Sequence, residues 1–216
     1  MYGLIFANGD LNDGPAVRVA LAVTGPRLVI AADGGLRHAA HFDLVPNMVI
    51  GDMDSADPAM LAEAEQHGAQ IGRYPYNKDE TDLELALMAA AQHDCNPIKI
   101  IGALGSRLDQ TLGNIYLLAL PVLDGRDVQI VSFAQRTWLA YPGEILVRGQ
   151  PGDTVSLIPL AGDVTDISTL GLAYPLQHET LSFGPARGMS NILSDAEARI
   201  TFESGLLLVT FTLGRA

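Results

Sequence analysis

A chain of 216 residues, 48% of them hydrophobic, is long enough for one large domain or two modest ones with real cores, and too apolar to stay disordered. Its 13 basic and 25 acidic side chains give a net charge of −12 with no basic run, so nucleic acid and anionic membranes are not expected partners. The single cysteine, Cys95, excludes an intrachain disulfide framework and any multi-cysteine zinc site. No apolar run reaches transmembrane length, and the first residues lack the basic start of a signal peptide; a cytoplasmic location is expected.

Leu4-Ile5-Phe6-Ala7 is expected to form a buried strand that stops at Asn8-Gly9-Asp10, with a short helix over 15–23. Leu28-Val29-Ile30-Ala31-Ala32 is a second unbroken apolar strand, ending at Asp33-Gly34-Gly35. Unbroken runs, unlike alternating ones, imply a sheet covered on both faces, as parallel sheets are. Gly34 and Gly35 permit a ligand close to the backbone, and Asp33 either faces that ligand or caps a helix over 36–42. Met48-Val49-Ile50 leads into Gly51-Asp52-Met53-Asp54-Ser55. If the strand runs on, Asp52 and Asp54 share one side and present two carboxylates to one point. Such a pair repels itself unless a cation lies between, and Mg2+ suits it, taking a few carboxylate oxygens and leaving its other positions to water and phosphates. The plainer reading is a solvated turn in which Asp54 or Asp57 caps the helix beginning near Pro58.

A helix over 58–67 and a short strand at Gln70-Ile71 follow. Leu83, Ala86, Leu87 and Ala90 then recur at helical spacing over 81–93. Asp79, Thr81, Asp82 and Glu84 crowd the start of this helix, where acids favour the macrodipole and Thr81-x-x-Glu84 fits a capping box. Lys78 beside them offers a phosphate its cation, and Asp82 is within reach of joining Asp52 and Asp54 on a metal. Ile98-Lys99-Ile100-Ile101 is another strand, followed by the loop Gly102-Ala103-Leu104-Gly105-Ser106-Arg107-Leu108-Asp109-Gln110 and a helix to about residue 120. A glycine-rich turn between strand and helix supplies free N–H groups and a positive dipole end for an anion, with Arg107 as a forked donor. Read otherwise, it is an ordinary turn with Asp109 as N-cap. Strands alternating with helices to about residue 123 indicate an open α/β sheet, whose ligands gather at the carboxyl ends of the strands. Asp33, Asp52, Asp54 and the 102–110 loop all fall at such ends, which together suggest a metal–phosphate site.

Beyond Gly125 the character changes to short strands at 128–132, 144–147, 154–158, 198–202 and 206–213, broken by Gly, Pro and Asp, the pattern of a β-sandwich or small barrel. Two domains are therefore expected, 1–125 as an α/β domain with an open, mainly parallel sheet and 126–216 as an all-β sandwich, with the boundary somewhere between Asp124 and Gly149. The loop Gly184-Pro185-Ala186-Arg187-Gly188-Met189-Ser190-Asn191 offers hydroxyl and amide groups to a small polar ligand, or is simply a turn. His38, His41, His67, His93 and His178 form no ligand-spaced cluster and are expected at the surface or at helix ends. Trp138 and Tyr141 belong either to the sandwich core or to a substrate wall.

Taken in order, Asp33-Gly34-Gly35, Ile50-Gly51-Asp52-Met53-Asp54-Ser55, Lys78-Asp79-Glu80-Thr81-Asp82-Leu83-Glu84 and Gly105-Ser106-Arg107-Leu108-Asp109-Gln110 resemble the thiamin pyrophosphokinase family. Gly171-Leu172-Ala173-Tyr174-Pro175-Leu176 and Ser190-Asn191 are similar to that family's signatures in its second domain, so the resemblance covers nearly the whole chain. It implies transfer of the β,γ-pyrophosphoryl group of ATP to the hydroxyethyl oxygen of thiamin, giving thiamin diphosphate and AMP. It also implies a homodimer whose active site is shared between the α/β domain of one subunit and the sandwich of the other. By resemblance Asp52, Asp54 and Asp82 hold Mg2+, Asp33 and Asp109 complete the acidic site, and one of Asp33, Asp82 or Asp109 accepts the alcohol proton. Gly34, Lys78, Gly105, Arg107 and Gln110 would surround the nucleotide, and Ser190 and Asn191 the thiamin.

Four positions depart from the family's habit: Asn47 and Ala173 stand where Asp and Lys are frequent, and Gln110 and Ile192 where His and Glu are. None removes an expected metal ligand, while Ala173 and Ile192 bear on the thiamin pocket. Two other functions fit the same residues. One is a Mg-dependent pyrophosphoryl or nucleotidyl transferase acting on another small alcohol; the other is a non-catalytic sensor of thiamin diphosphate or a nucleotide.

Overall fold

Apolar runs with no polar interruption become strands buried on both faces. In the computed structural model, which describes residues 1–215, these are β1 (Tyr2–Phe6), β2 (Arg27–Ala32), β3 (Met48–Gly51), β4 (Gln70–Arg73), β5 (Ile98–Ile101) and β6 (Val128–Ser132). They pair in parallel in the order β6-β5-β1-β2-β3-β4. Leu4, Ile5, Phe6, Ile30, Ile50, Ile98, Ile100, Ile101 and Ile130 all lie in its interior. Helices α1 (Pro15–Leu21), α2 (Leu36–His41), α3 (Pro58–Gln66), α4 (Asp82–Gln92) and α5 (Leu108–Tyr116) alternate with the strands. Asp57 caps α3 through its carboxylate, accepting from the N–H groups of Ala59 and Met60, and Thr81 caps α4 by accepting from Glu84 N–H at 3.2 Å.

The strand order has a functional consequence. From β1 the chain moves outward through β2, β3 and β4, then returns to lay β5 on the other side of β1. The connections after β1 and β5 therefore diverge, opening a crevice beyond their carboxyl ends where ligands of open α/β sheets bind.

The first compact unit is Met1–Phe133 and the second begins at Ala134. The division falls beyond residue 125 and inside the stretch from Asp124 to Gly149. Val128–Ser132 belongs to the first unit because it pairs in parallel with Ile98–Ile101, from Ile98↔Val128 to Ile101↔Val131. A short apolar run reads alike in a parallel sheet and in a sandwich; its partner decides.

The second unit consists of β7 (Gln135–Ala140), β8 (Gly143–Arg148), β9 (Thr154–Pro159), β10 (Val164–Leu170), β11 (Glu179–Leu181), β12 (Asn191–Ile192), β13 (Glu197–Phe202) and β14 (Leu207–Thr212). Its strands order as β12-β9-β14-β7 and β11-β10-β13-β8, antiparallel within each set. Val155, Leu157, Val209 and Phe211 from one set and Val147, Ile167, Ile200 and Phe202 from the other share one core, which makes the unit a β-sandwich. Trp138 packs half-buried against this core, whereas Tyr141 is exposed. Strand β10 was not expected, since Asp166, at φ 53°, lies between Val164 and Ile167, where the pairing register shifts and the alternation of apolar residues breaks. Among the described residues no helix is long and apolar enough to cross a membrane.

Leu4 sits fully buried in β1, flanked by β2 and β5. Leu4→Ala is expected to cost about 2–5 kcal/mol, seen as a lower urea midpoint at an unchanged slope.

Candidate active site

Three carboxylates meet at the ends of three elements. Asp33 directly follows β2, Asp52 directly follows β3, and Asp82 opens α4. Parallel pairing of Ala32 with Ile50 brings the first two strand ends side by side, and α4 packs against both strands. One oxygen from each acid lies within 4.8 Å of the others. Gly51 makes that approach possible. At φ 154° it holds a conformation L side chains rarely adopt, and a Cβ there would meet Asp33 Cβ at 2.9 Å and Asp82 Cγ at 3.0 Å. Asp33 and Met53 themselves hold left-handed φ values of 45° and 67°, which a non-glycine residue keeps only where its surroundings enforce it.

The electrostatics are those of a site built for a cation. Asp33 is 3% exposed, and its Oδ1 is buried without a hydrogen-bond partner among the described residues. Burial above all, then the charges of Asp82 and Asp54, push its carboxyl above the ordinary range, against the pull of the Gly34 N–H and the Ser55 hydroxyl. Lys78 Nζ lies 2.9 Å from Asp82 Oδ1. Desolvation works to lower this ammonium's pKa, but the bond to Asp82 and the charges of Asp82, Asp52 and Asp33 together hold it above the usual value. One ammonium does not balance three carboxylates. A hard dication with oxygen ligands fits the donor set, the buried unpartnered oxygen and the gap that Gly51 leaves.

Asp54 stands apart from this group. The strand ends at Gly51, so Asp52 and Asp54 do not alternate along one face; instead Asp54 N–H donates to Asp52 Oδ1 at 3.2 Å, and Ser55 Oγ donates to Asp54 Oδ1 at 2.9 Å. Asp54 lines the same cavity, of about 590 Å3, as Asp33, Asp52, Lys78 and Asp82, and Asp33 takes the place in the carboxylate trio that the sequence pattern gave to Asp54. Nor does Asp33 cap α2, whose N-cap is Gly35 without any side-chain bond.

Across the cavity lie Gly105, Arg107 and Gln110. Thr111 Oγ1 accepts from Gly105 N–H at 3.1 Å and donates to Gly105 O, while Asn114 Nδ2 donates to Ala103 O at 2.7 Å, so α5 straps the glycine-rich loop down. The Arg107 guanidinium forks onto Asp109 at 2.6 and 3.3 Å; this bond holds Asp109 below, and Arg107 above, its ordinary pKa. Asp109 is exposed, does not line the cavity, and does not cap α5, whose N-cap residue is Arg107. Gly34 is also off the lining: it is buried, and a Cβ there would strike the Asn8 side chain at 2.3 Å, so it serves packing beneath the site. In the second unit, Asn191 Oδ1 accepts from Tyr174 N–H and Ile192 N–H while its Nδ2 donates to Tyr174 O, which spends most of the amide on holding the Tyr174 loop. Ser190 is exposed, with φ 56°.

The structure adds lining residues that sequence reasoning passed over: Asn8, Asp10 and Arg37. The break after the first apolar run at Asn8-Gly9-Asp10 marked a strand end, but only the return of β5 beside β1 makes that end a wall of the cavity. His38, in the last turn of α2, meets the helix-end expectation and is 3% exposed, not at the surface.

Matches to known proteins agree along the chain. Residues 21–130 match the family model described as thiamin pyrophosphokinase, catalytic domain, and residues 144–207 the one described as thiamin pyrophosphokinase, vitamin B1 binding domain. The chain is 28% identical over 183 residues to thiamine pyrophosphokinase of Bacillus subtilis (strain 168), covering 84% of this chain and 86% of that protein. It is 29% identical over 174 residues to thiamine pyrophosphokinase 1 of Oryza sativa subsp. japonica, spanning 75% of this chain and 64% of the rice protein. The crystal structure of the Bacillus subtilis thiamine pyrophosphokinase superposes with a TM-score of 0.87 at 25% identity, over 99% of each chain. That of the Candida albicans thiamin pyrophosphokinase shares the fold at 18% identity, with a TM-score of 0.81 over 98% of this chain and 88% of that one.

Gly51→Ala is expected to push the acids apart and weaken divalent-ion binding about ten- to a hundredfold, measured by Mn2+ titration with spin-resonance detection. Asp33→Asn removes a desolvated charge. Because the folded carboxyl titrates above its unfolded value, the parent protein is destabilised by this group above that folded pKa and relieved of the cost as pH falls through it. In chelator at pH 7 the variant is therefore expected to melt at a higher temperature than the parent, with the gap narrowing toward pH 4 in a calorimetric series.

Proposed function

The chain belongs to the thiamin pyrophosphokinase family, and from that premise we propose that it transfers the β,γ-pyrophosphoryl group of ATP to the hydroxyethyl oxygen of thiamin, releasing AMP and thiamin diphosphate. The observation that carries this reading is the meeting of Asp33, Asp52 and Asp82 around a buried, unpartnered oxygen in a cavity that also holds Lys78 and Arg107. Phosphoryl-type transfer asks mainly for positioning and charge neutralisation, and these residues supply both.

Asp33, Asp52 and Asp82 would hold Mg2+, with Asp54 behind them bonded to Asp52 and not directly in the set. Bound there, the ion would neutralise polyphosphate oxygens and sharpen the electrophilic phosphorus. Lys78, kept protonated beside Asp82, would donate to a phosphate oxygen as charge builds in transfer. Arg107 and Gln110 face the cavity from the start of α5, where the helix dipole favours an anion. Asp33 or Asp82 would take the alcohol proton, a reading supported by their position on the cavity lining, whereas Asp109 is bonded to Arg107 outside it. Thiamin would be held by the second unit, with Ser190 offering its hydroxyl and Asn191 shaping the neighbouring Tyr174 loop. A homodimer with a shared site, and residence in the cytoplasm where ATP is the donor, complete the proposal.

The alternatives are less well supported. A sensor has no need for an acidic trio that costs stability when empty, and a transferase for another alcohol does not account for the match of 144–207 to a vitamin B1 binding domain. Incubation with Mg-ATP and thiamin, followed by chromatography, is expected to yield AMP and thiamin diphosphate in equal amounts. ADP with thiamin monophosphate would replace the proposal with simple kinase chemistry.

A further inference from the structure

Three cations line the cavity, and two are already paired: Lys78 with Asp82 at 2.9 Å and Arg107 with Asp109 at 2.6 Å. The third, Arg37 on α2, forms no ion pair among the described residues. Its Nε–H instead donates to His38 Nε2 at 3.3 Å, and its Nη2 lies 3.5 Å from Asn8 O, leaving the rest of the guanidinium fork open to the cavity's contents.

An imidazole that accepts at Nε2 is neutral and carries its proton on Nδ1. The His38 Nδ1 is buried without a hydrogen-bond partner among the described residues. The ring is buried, at 3% exposure, beside the two loops that wall the crevice, which are tied together by Gly9 N–H to Gly102 O at 2.7 Å and Asp10 N–H to Leu104 O at 2.8 Å. Gly102 makes room for the ring, since a Cβ there would meet His38 Nδ1 at 2.7 Å. Burial, followed by the charge of Arg37, keeps the imidazole's pKa below its usual value, while Ala7 O and Asp10 act in the opposite direction.

We propose that Arg37 binds a phosphate of the nucleotide and that His38 is its positioning residue, using Nε2 as a fixed acceptor that turns the guanidinium toward the cavity. The inference rests on the nucleotide reading above. A guanidinium without a carboxylate partner, in a cavity otherwise rich in acid, is held for an anion that arrives from outside, and its planar fork matches phosphate oxygens.

The test is steady-state kinetics of AMP release with ATP and thiamin varied separately. Arg37→Ala is expected to raise KM for ATP about tenfold or more, the order of a lost charge-assisted hydrogen bond, with KM for thiamin nearly unchanged and Arg37→Lys recovering only part. His38→Gln places an acceptor oxygen near the position of Nε2, whereas His38→Asn reaches only as far as Nδ1. The Gln variant is therefore expected to keep the parent's KM for ATP and the Asn variant to resemble Arg37→Ala, at similar unfolding midpoints. A parent-like KM for ATP in Arg37→Ala overturns the phosphate role while AMP production by the parent leaves the family reaction standing. Equal behaviour of the Gln and Asn variants overturns the positioning role. A parent protein that makes no AMP removes the nucleotide reading and this inference with it.

Discussion

The constraint on which this protein turns is the forced meeting of Asp33, Asp52 and Asp82, three like charges within 4.8 Å of one another with one of them almost fully buried. Left alone, such a group resists assembly, since each carboxylate loses solvation and gains a repulsive neighbour. It persists because rigid elements impose it. Two adjacent parallel strands end in register, a long helix starts above them, and Gly51 removes the one side chain that would keep the acids apart. The cost of the empty arrangement and its capacity to hold a dication are the same fact seen from two sides.

Around that centre, other features serve to fix loops. Thr111 and Asn114 bind the glycine-rich loop to α5, and Thr81 caps the helix that delivers Asp82. Hydrogen bonds between the loops after β1 and β5 close the crevice floor, with His38 buried beneath them. Each of these interactions is modest by itself. Together they hold the charged groups against the electrostatic pressure to separate, so the site does not have to organise itself when substrate arrives.

Much of this was legible in the chain. Unbroken runs such as Leu4-Ile5-Phe6-Ala7 and Ile98-Lys99-Ile100-Ile101 marked parallel strands, because a strand covered on both faces needs apolar residues at successive positions. The capping of α3 by Asp57 and of α4 by Thr81 followed from local chemistry and stands in the structure. The acids lie in the loops where they were expected, but their grouping differs: Asp33, Asp52 and Asp82 meet, while Asp54, expected on the metal, lines the same cavity bonded to Asp52, and Asp109, expected in the acidic site, is bonded to Arg107. Both differences have one cause. Sequence spacing describes what regular structure does with two residues, and the chain leaves the strand at Gly51 and turns Asp109 back onto Arg107.

What the sequence by itself determined is therefore the alternating strands and helices of the first unit, the change from α/β to all-β character, and the chemical kind of site, since propensity, periodicity and residue type act over a few neighbours. Tertiary structure alone decided membership. The return of β5 beside β1 turned Asn8, Asp10 and Arg37 into cavity wall, the pairing of β6 with β5 carried the first unit to Phe133, and burial gave His38 a neighbour to orient. Those outcomes depend on which distant segments share a hydrogen-bond ladder, a choice made by the packing of the whole sheet and written in no short stretch of residues.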